Sequence, residues 1–511
     1  MAKRTFSPPV TWLGRHTGWF NLGILTALGV FFRFWQLSSL PPGLSVSEAK
    51  VGLEAWNLAT HAWLPGLTGA NGYAPLWIWL QALPVKLLGP TTLSLRLWPA
   101  LIGAAAVVMT WLWARDWFNR RVAWVAGFVV AVTPWAVTMS RNGLPVVLML
   151  LLVPLTLWVA GWTYHRRNVR WSLLLAGVLV LDLLSGPLGW LLAVTVLGLG
   201  KVRLIQEHKL WGLERARLAG LTVVLAGVAG TGWLLATSWS QVQSGLKAAA
   251  LVHDAASLGD GFMRMLFMFN LRGDENFLHN FGGEPLLNAF IGLMFAAGLL
   301  VSLTRLAQRR YQVLLVVLAA LLLPVWLVLA GAPNAAHAAA ALPLVAVLAA
   351  IGVSYMLELW YATFPINSAA RSTGQAVIIL LLILTLFQGY TQYFRAWAGS
   401  SETYAAYSEP AVAAARYLRD RHFAGPHYLV ATPEEQTVVA YLNARMPYVP
   451  LTAAQVVGVP LGTGPQLFVI TASSRDVVTH SLSLKFPGGT LKPHASTFSR
   501  NDIYYTYEVA K

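Results

Sequence analysis

The chain has 511 residues, of which 57% are hydrophobic and only 11% are charged, and it contains no cysteine. Ordinary soluble domains have about 25% charged residues, so this chain has too little polar surface to fold as a water-soluble globule. The absence of cysteine excludes disulfides, thiol nucleophiles and cysteine metal sites. The formal net charge of +16 fits either a nucleic-acid-binding protein or a membrane protein with basic loops, and the placement of the charges decides between them.

Apolar runs of about 17 to 22 residues recur along the chain, bounded by Arg, Lys, Pro or Gly. A helix of that length crosses about 30 Å of hydrocarbon, so we predict an all-α polytopic membrane protein with about ten or eleven transmembrane helices. The first run lacks a small-residue cleavage site and is interpreted as a retained anchor. Residues 74–88 are expected to lie in the membrane interface. The predicted spans lie near residues 18–35, 97–113, 122–138, 144–162, 172–184, 188–199, 218–236, 287–303, 313–329, 338–357 and 376–387.

Basic residues concentrate in alternate loops of this topology, around residues 115–121, 166–170, 201–217 and 305–310. The positive-inside rule places these loops and the N-terminus in the cytoplasm, which indicates a multi-pass protein of the cell inner (plasma) membrane and excludes nucleic acid as a partner. The acidic residues fall on the opposite side: Glu48, Glu54, Asp254, Asp260, Asp274, Glu275 and Glu284. Two long outer loops, residues 38–73 and 238–286, therefore concentrate the ionisable chemistry, and ordered loops of this length are usually functional.

The chain changes character near residue 395, after the last predicted span. A helical pattern follows Ser408, residues 427–431 form a short apolar strand, and Thr432 with Glu435 forms a capping box that begins another helix. Residues 466–471 and 503–509 are predicted to be further strands. We therefore predict a transmembrane module over residues 1–394 and a small soluble α/β domain over residues 395–511. The soluble domain is expected on the extracytoplasmic side of the membrane.

Several short motifs recur in a fixed order on the predicted outer face. Residues 40–50 read LPPGLSVSEAK and follow the span end FRFW at 32–35; APLWIWLQ lies at 74–81, LRLWPALIG at 95–103, TPW at 133–135 and SRNG at 140–143. RGD at 272–274, HN at 279–280 and EPL at 284–286 complete the series. Together they resemble the membrane glycosyltransferases of the C-type (GT-C) fold, in particular the family 39-like group of protein mannosyltransferases and lipid A aminoarabinose transferases. The resemblance covers roughly the first 350 residues.

The resemblance implies transfer of a sugar from a polyprenyl-phosphate donor to an acceptor in the cell envelope, whether glycan, lipid or protein. The group carries an acidic pair in the first outer loop, but Ser47 stands where the group has its catalytic Asp, and a neutral hydroxyl cannot take a proton near neutral pH. Glu48 is therefore the candidate base, since a carboxylate can remove the acceptor proton while cations hold the departing phosphate. The remaining candidates are Arg141, Arg272 and His337 for the donor phosphate, and Ser47, Trp56, Asp274 and His279 for substrate, with Trp63 as a further sugar contact.

Each candidate also has a structural interpretation. Glu48 fits the first turn of a loop helix capped by Ser45 or Ser47, and Arg141 fits a snorkelling arginine at a span end. Asp274 and Glu275 follow Arg272 and Gly273 and fit a turn stabilised by a local ion pair. His279 and the lone His337 fit structural hydrogen-bonders, and most tryptophans fit the aromatic belt. Asp182, inside a span, is either functional or paired with a neighbouring helix.

Two other functions compete with sugar transfer. The Ser47 replacement permits a catalytically degenerate GT-C protein that binds lipid-linked glycan or a partner. A transporter or flippase for lipid-linked sugar is the third hypothesis, although transporters usually place ionisable residues near the membrane midplane and here they gather in outer loops. A divalent metal is possible, and the sequence leaves the cofactor undetermined.

Overall fold

The computed structural model describes residues 12–61, 74–166, 169–206, 255–327, 334–421, 423, 425–460, 464–496 and 502–509. The predicted span near 218–236, Trp63 and the first part of the second outer loop lie outside these residues. In chain order the helices are α1 (Trp12–Phe34), α2 (Val46–His61), α3 (Pro75–Leu88), α4 (Thr92–Trp117), α5 (Arg120–Val132), α6 (Pro134–Met139), α7 (Val147–Arg166), α8 (Val169–Leu184), α9 (Pro187–Gln206), α10 (Ala255–Phe267), α11 (Ala289–Thr304), α12 (Arg309–Leu327), α13 (Ala335–Ala338), α14 (Leu342–Thr363), α15 (Ser368–Thr391), α16 (Ser401–Ala406), α17 (Glu409–Asp420), α18 (Pro433–Leu442) and α19 (Arg475–Lys485).

Five helical segments of the described chain are long and apolar enough to cross a membrane. They are α4, α7, α12, the continuous run Ala335–Thr363 and the run Ser368–Trp397. Four shorter apolar helices accompany them, at Phe20–Phe34, Pro75–Leu88, Pro187–Gly200 and Ala289–Thr304. All five long segments overlap predicted spans, and the prediction of a mostly helical membrane protein with a small C-terminal α/β domain is confirmed.

The helices of the membrane module pack closely where small residues meet. α11 and α14 cross at Gly298 and Gly352, where an added Cβ would lie 1.8 Å from the carbonyl oxygen of Leu348 and 2.0 Å from that of Met294, respectively. Only glycine permits backbones to approach so closely, a common device between helices in membranes. α4 packs against α1, α5 and α7. The N-terminal end of α4 contacts residues 41–43 of the first outer loop, and its C-terminal end lies at the other end of the helical bundle.

The C-terminal domain is built on a five-stranded mixed sheet. Its strands are β1 (His427–Val430), β2 (Val449–Leu451), β3 (Gln466–Thr471), β4 (Thr490–Ala495) and β5 (Asp502–Val509), in the spatial order β2-β1-β3-β5-β4. β2, β1 and β3 are parallel, whereas β5 runs antiparallel to β3 and β4. β1, β3, β5 and the capping box of Thr432 and Glu435 agree with the sequence analysis. The two strands that it did not predict are the edge strands, and each contains a proline, which sheets tolerate at edges.

The C-terminal domain lies against the first outer segment. α18 packs on α2, and an added Cβ at Gly52 would lie 2.6 Å from the ring of Tyr441. The Tyr441 hydroxyl lies 2.9 Å from Ser94 Oγ and donates to the carbonyl of Thr91 at 3.1 Å. This contact presses α2 between the sheet domain and the N-terminal end of α4.

Candidate functional site

Glu48 lies in the first turn of α2 and has no exposed surface. Its Oε2 accepts hydrogen bonds from the backbone N–H and hydroxyl of Ser45, each at 3.0 Å, while Ser45 Oγ accepts from the Glu48 N–H at 3.2 Å. Its Oε1 accepts from the Gly143 N–H at 2.8 Å and lies 3.6 Å from Arg96 Nε. This reciprocal capping geometry is the structural interpretation of Glu48 that the sequence left open, with Ser45 as the cap.

Arg96 is the buried counter-charge of Glu48 and was not assigned a role from the sequence. Its two terminal nitrogens donate to the carbonyls of Pro41 and Gly43, each at 2.7 Å. It stands near the start of α4, beside an apolar run. A charge at the edge of a span is costly unless it is paired, and that cost is the sequence signal that could have identified it.

The side chain of Arg141 also donates hydrogen bonds to backbone carbonyls. Its guanidinium donates to the carbonyls of Phe32, Arg33 and Leu40 at 2.9 Å, and it lies over the ring of Tyr393 at 5.4 Å. The Phe32 and Arg33 carbonyls belong to the last turn of α1, where helix carbonyls lack intrahelical partners and favour a cation. Arg141 is fully buried, so it has no exposed surface to offer the donor phosphate for which it was a candidate.

Three predicted site residues lie near one another in the second outer loop and at the start of α13: Asp274, His279 and His337. Asp274 is 4% exposed, and its Oδ2 accepts from the Ala335 N–H at 2.8 Å and lies 3.4 Å from His279 Nδ1. Its Oδ1 accepts from the Asn276 N–H at 2.8 Å. His337 lies one helical turn after Asn334, whose side chain caps α13, and two residues after Ala335, whose N–H binds Asp274. Asp274 thereby fixes His279 and the start of α13 in a common arrangement.

The accessible members of this group are His279 and His337, and Arg272 is exposed nearby in the chain. The side chain of His279 is 13% exposed, and His337 is exposed. The side chain of Arg272 is 78% exposed and pairs with Glu275, in agreement with the local ion pair expected in this turn. Among the described residues, no three metal-ligating side chains converge on a common position.

Ser47 and Trp56 both lie on α2. Ser47 is half-buried in the first turn. Trp56 is half-buried, packs against the core of the C-terminal domain, and has the guanidinium of Arg445 5.0 Å from its ring centroid. The sheet domain therefore covers part of the ring that was expected to contact a sugar.

Tyr407 joins three outer segments and was not identified from the sequence. Its hydroxyl donates to Asn142 Oδ1 at 2.6 Å and approaches the Leu278 carbonyl at 3.3 Å, while its own carbonyl accepts from the Leu44 N–H at 2.7 Å. Burial, followed by the charge of Glu48, raises the pKa of Tyr407 well above its ordinary value, so the hydroxyl stays protonated and donates. No local pattern distinguishes it from the other tyrosines of the chain, because its partners come from three distant segments.

Asp182 lies in α8 without exposed surface and accepts a hydrogen bond at 2.8 Å from the hydroxyl of Thr156 on α7. Its other carboxyl oxygen has no hydrogen-bond partner within the described residues. The contact pairs it with a neighbouring helix, which is the structural alternative that the sequence allowed.

Comparison with known proteins relates this architecture to membrane glycosyltransferases. Residues 72–233 match the family model described as dolichyl-phosphate-mannose-protein mannosyltransferase. A sequence comparison with curated proteins gave no match.

Solved structures match along the whole chain. ArnT from Cupriavidus metallidurans in the apo state is 15% identical with a TM-score of 0.57, and the match covers 97% of this chain and 99% of that one. ArnT bound to undecaprenyl phosphate gives 14% identity and a TM-score of 0.54, over 99% and 100%. The archaeal oligosaccharyltransferase AglB from Archaeoglobus fulgidus, in complex with an inhibitory peptide and a dolichol-phosphate, gives 13% and 0.51, over 98% and 75%.

These matches, together with the apolar helices and the small C-terminal sheet domain, define the protein as a membrane protein of the GT-C glycosyltransferase fold. Within that fold it is similar to the protein mannosyltransferase and ArnT group, as the sequence motifs predicted.

Proposed function

We propose that this protein transfers a sugar from a polyprenyl-phosphate donor to a cell-envelope acceptor on the outer face of the membrane. The observation that supports this most is the end-to-end match to ArnT, which includes the form bound to undecaprenyl phosphate. The contacts of Asp274 with His279 and with the start of α13, which carries His337, support a site at these residues.

In the proposed reaction an acceptor hydroxyl attacks the anomeric carbon of the sugar. The bond from that carbon to the phosphate oxygen breaks, polyprenyl phosphate leaves with the electron pair, and a protein base takes the acceptor proton. The reaction therefore needs an accessible base and, for the departing charge, an accessible cation.

His279 is the proposed base. Asp274 lies on its Nδ1 side and orients the ring, which leaves Nε2 to accept a proton, as in other carboxylate–histidine pairs. The 3.4 Å separation is long for a hydrogen bond, and such catalytic contacts often tighten only when substrate binds. The carboxylate of Asp274 stabilises the imidazolium that forms after proton transfer.

Glu48 is better suited to positioning than to proton transfer. Its two carboxyl oxygens already accept three hydrogen bonds from Ser45 and Gly143 and face Arg96, and the side chain has no exposed surface through which an acceptor hydroxyl could reach it. We propose that it fixes the entry of α2 against the Gly143 loop. Arg272 and His337, the accessible cationic or protonatable candidates, are proposed to meet the donor phosphate.

The test is release of polyprenyl phosphate from a radiolabelled polyprenyl-phosphate hexose by purified protein, with a total cell-envelope fraction as acceptor. We expect the native chain to be active and His279→Ala to lose about 10²- to 10⁴-fold in kcat, the range that a general base contributes. The matched control is His480→Ala, because His480 is exposed on α19 in the sheet domain. Equal activity of the His279 and His480 variants would remove His279 from the proposal.

Two further variants distinguish the competing hypotheses. Glu48→Gln should reduce protein stability more than kcat if Glu48 positions α2, whereas abolished turnover in a well-folded Glu48→Gln variant would return the base to Glu48. If the native chain has no sugar-transfer activity and the Ser47→Asp variant gains it, the catalytically degenerate alternative is favoured.

A further inference from the structure

A second cavity lies at the other end of the helical bundle from the proposed site. Its volume is about 700 Å³, and its walls are the C-terminal ends of α4, α7 and α9 and the N-terminal end of α12. Arg96, which pairs with Glu48, and Asp116, which lines the cavity, both lie on α4, and at 1.5 Å per residue the helix between them separates the two sites by about 30 Å. Pockets of about 300 to 1,000 Å³ are the usual size for small-ligand sites.

The cavity wall carries charges of both signs. Asp116 lines it, and so do Arg309 and Arg310. Arg310 donates to the carbonyl of Trp117 at 3.1 Å, so its guanidinium lies beside the residue that follows Asp116. Arg309 donates to the carbonyl of Leu199 at 2.9 Å, which holds its guanidinium beside the C-terminal half of α9. A carboxylate and two guanidinium groups therefore contribute to the lining of one cavity.

Asp116 is held as a charged, oriented group. The indole N–H groups of Trp158 and Trp162 donate to its Oδ2 at 2.8 and 3.0 Å. Within the described part of the chain its Oδ1 makes no hydrogen bond, and Asp116 has no salt bridge there. Both donors bind the same oxygen, which leaves Oδ1 as an acceptor for a ligand.

The rest of the wall is apolar, with Leu157, Ala160, Val196 and Val313 among its members. The cavity lies at the helix ends that carry the basic loops, where the positive-inside rule places the cytoplasmic leaflet. An occupant must therefore combine a hydrocarbon portion, an anionic group for the arginines and a cationic group for Asp116.

We propose that this cavity binds a phospholipid with a primary ammonium head group, of the phosphatidylethanolamine type, from the cytoplasmic leaflet. Its phosphate meets Arg309 and Arg310, its ammonium meets Asp116, and part of an acyl chain lies against the apolar wall. An anionic phospholipid such as phosphatidylglycerol satisfies the arginines but has no cation for Asp116. Phosphatidylcholine carries a cation that has no N–H donor for the free carboxylate oxygen.

Two glycines of α9 provide a matched pair of variants. An added Cβ meets open space at both Gly198 and Gly200, but only Gly200 lines the cavity. Gly200→Phe therefore projects a ring into the lipid site, and Gly198→Phe makes the same change on the same helix outside it. Asp116→Asn tests the head-group contact without filling the cavity.

The experiment measures lipid retention by native mass spectrometry on purified, delipidated full-length protein. The protein is titrated with phosphatidylethanolamine, phosphatidylglycerol or phosphatidylcholine of identical acyl chains. We expect preferential retention of phosphatidylethanolamine by about fivefold, as one ion-pair contact of about 1 kcal/mol gives. Gly200→Phe should lose this retention while Gly198→Phe keeps it, and Asp116→Asn should remove the preference over phosphatidylglycerol.

Three outcomes would overturn the proposal. They are equal retention of the three lipids by the native protein, a preference for phosphatidylglycerol, and retention by Gly200→Phe equal to that of Gly198→Phe. If Gly200→Phe does not fold, Asp116→Asn decides: an unchanged preference for phosphatidylethanolamine in that variant refutes the role of Asp116. Sugar transfer is not needed for any of these readouts, so the result stands apart from the proposed function.

Discussion

Replacing Tyr407 with phenylalanine should loosen the outer segments while the fold persists. The change removes one hydroxyl and conserves the buried ring. It leaves Asn142 Oδ1, in a side chain that is 2% exposed, without the donor that lies 2.6 Å away. An unsatisfied buried polar atom costs about 1 to 3 kcal/mol. The local free energy of opening should fall by that amount.

Hydrogen–deuterium exchange of the purified protein measures this opening directly. At about 1.4 kcal/mol per factor of ten, amides in residues 40–48 and 274–282 should exchange roughly 5- to 150-fold faster in Tyr407→Phe. The exchange rate of the Leu44 N–H should show this loosening most directly, because that group donates to the Tyr407 carbonyl. Exchange in α14 should not change, because that helix lies in the membrane module away from the contact.

Tyr428→Phe is the matched control, because Tyr428 is a buried tyrosine of the sheet whose hydroxyl makes no hydrogen bond within the described residues. It should leave exchange in both outer segments at the native rate. Unchanged exchange at residues 40–48 in Tyr407→Phe would refute the view that this hydroxyl joins the outer segments.

Three further substitutions test the packing and charge arguments. Glu48→Gln leaves the buried Arg96 without a counter-charge, which costs about 3 to 5 kcal/mol, so the melting temperature of this variant should fall. The double variant Glu48→Gln with Arg96→Gln should recover part of that loss. No recovery would mean that the two side chains are not coupled. Gly352→Ala places a Cβ against a carbonyl of the facing helix and should lower the melting temperature, whereas Gly177→Ala, which meets open space, should not; equal melting temperatures would contradict the close crossing. Burial lowers the pKa of His494, so the folded sheet domain resists protonation of this residue and loses stability as the pH falls below about 6.5. The rate of proteolysis of the domain should therefore rise below that pH, and the rise should be smaller in His494→Gln. An equal rise in the native protein and in His494→Gln would show that His494 does not contribute to the pH dependence.

The membrane module was predictable because hydrophobic length and charge asymmetry are properties of contiguous sequence. The capping boxes at Thr432 and at Ser45 could also be predicted, since each is set by residues three apart. The edge strands β2 and β4 could not, because short edge strands containing proline acquire their conformation from the neighbouring strand.

The candidate site was only partly predictable, for a related reason. Glu48, Asp274, His279 and His337 were selected as candidates because ionisable residues are rare in this chain and gather in the predicted outer loops. The sequence could not show that Arg141 binds two carbonyls at the end of α1 and the carbonyl of Leu40. Tyr407 was missed because its contacts join segments that are more than a hundred residues apart in the chain.

The measurement that tests the central claim most directly is release of polyprenyl phosphate from a radiolabelled polyprenyl-phosphate hexose by the purified native chain, with a cell-envelope fraction as acceptor. The account predicts release together with transfer of label to an envelope component, and loss of both in His279→Ala but not in His480→Ala. A native chain that binds the donor yet releases no polyprenyl phosphate with any hexose would contradict it.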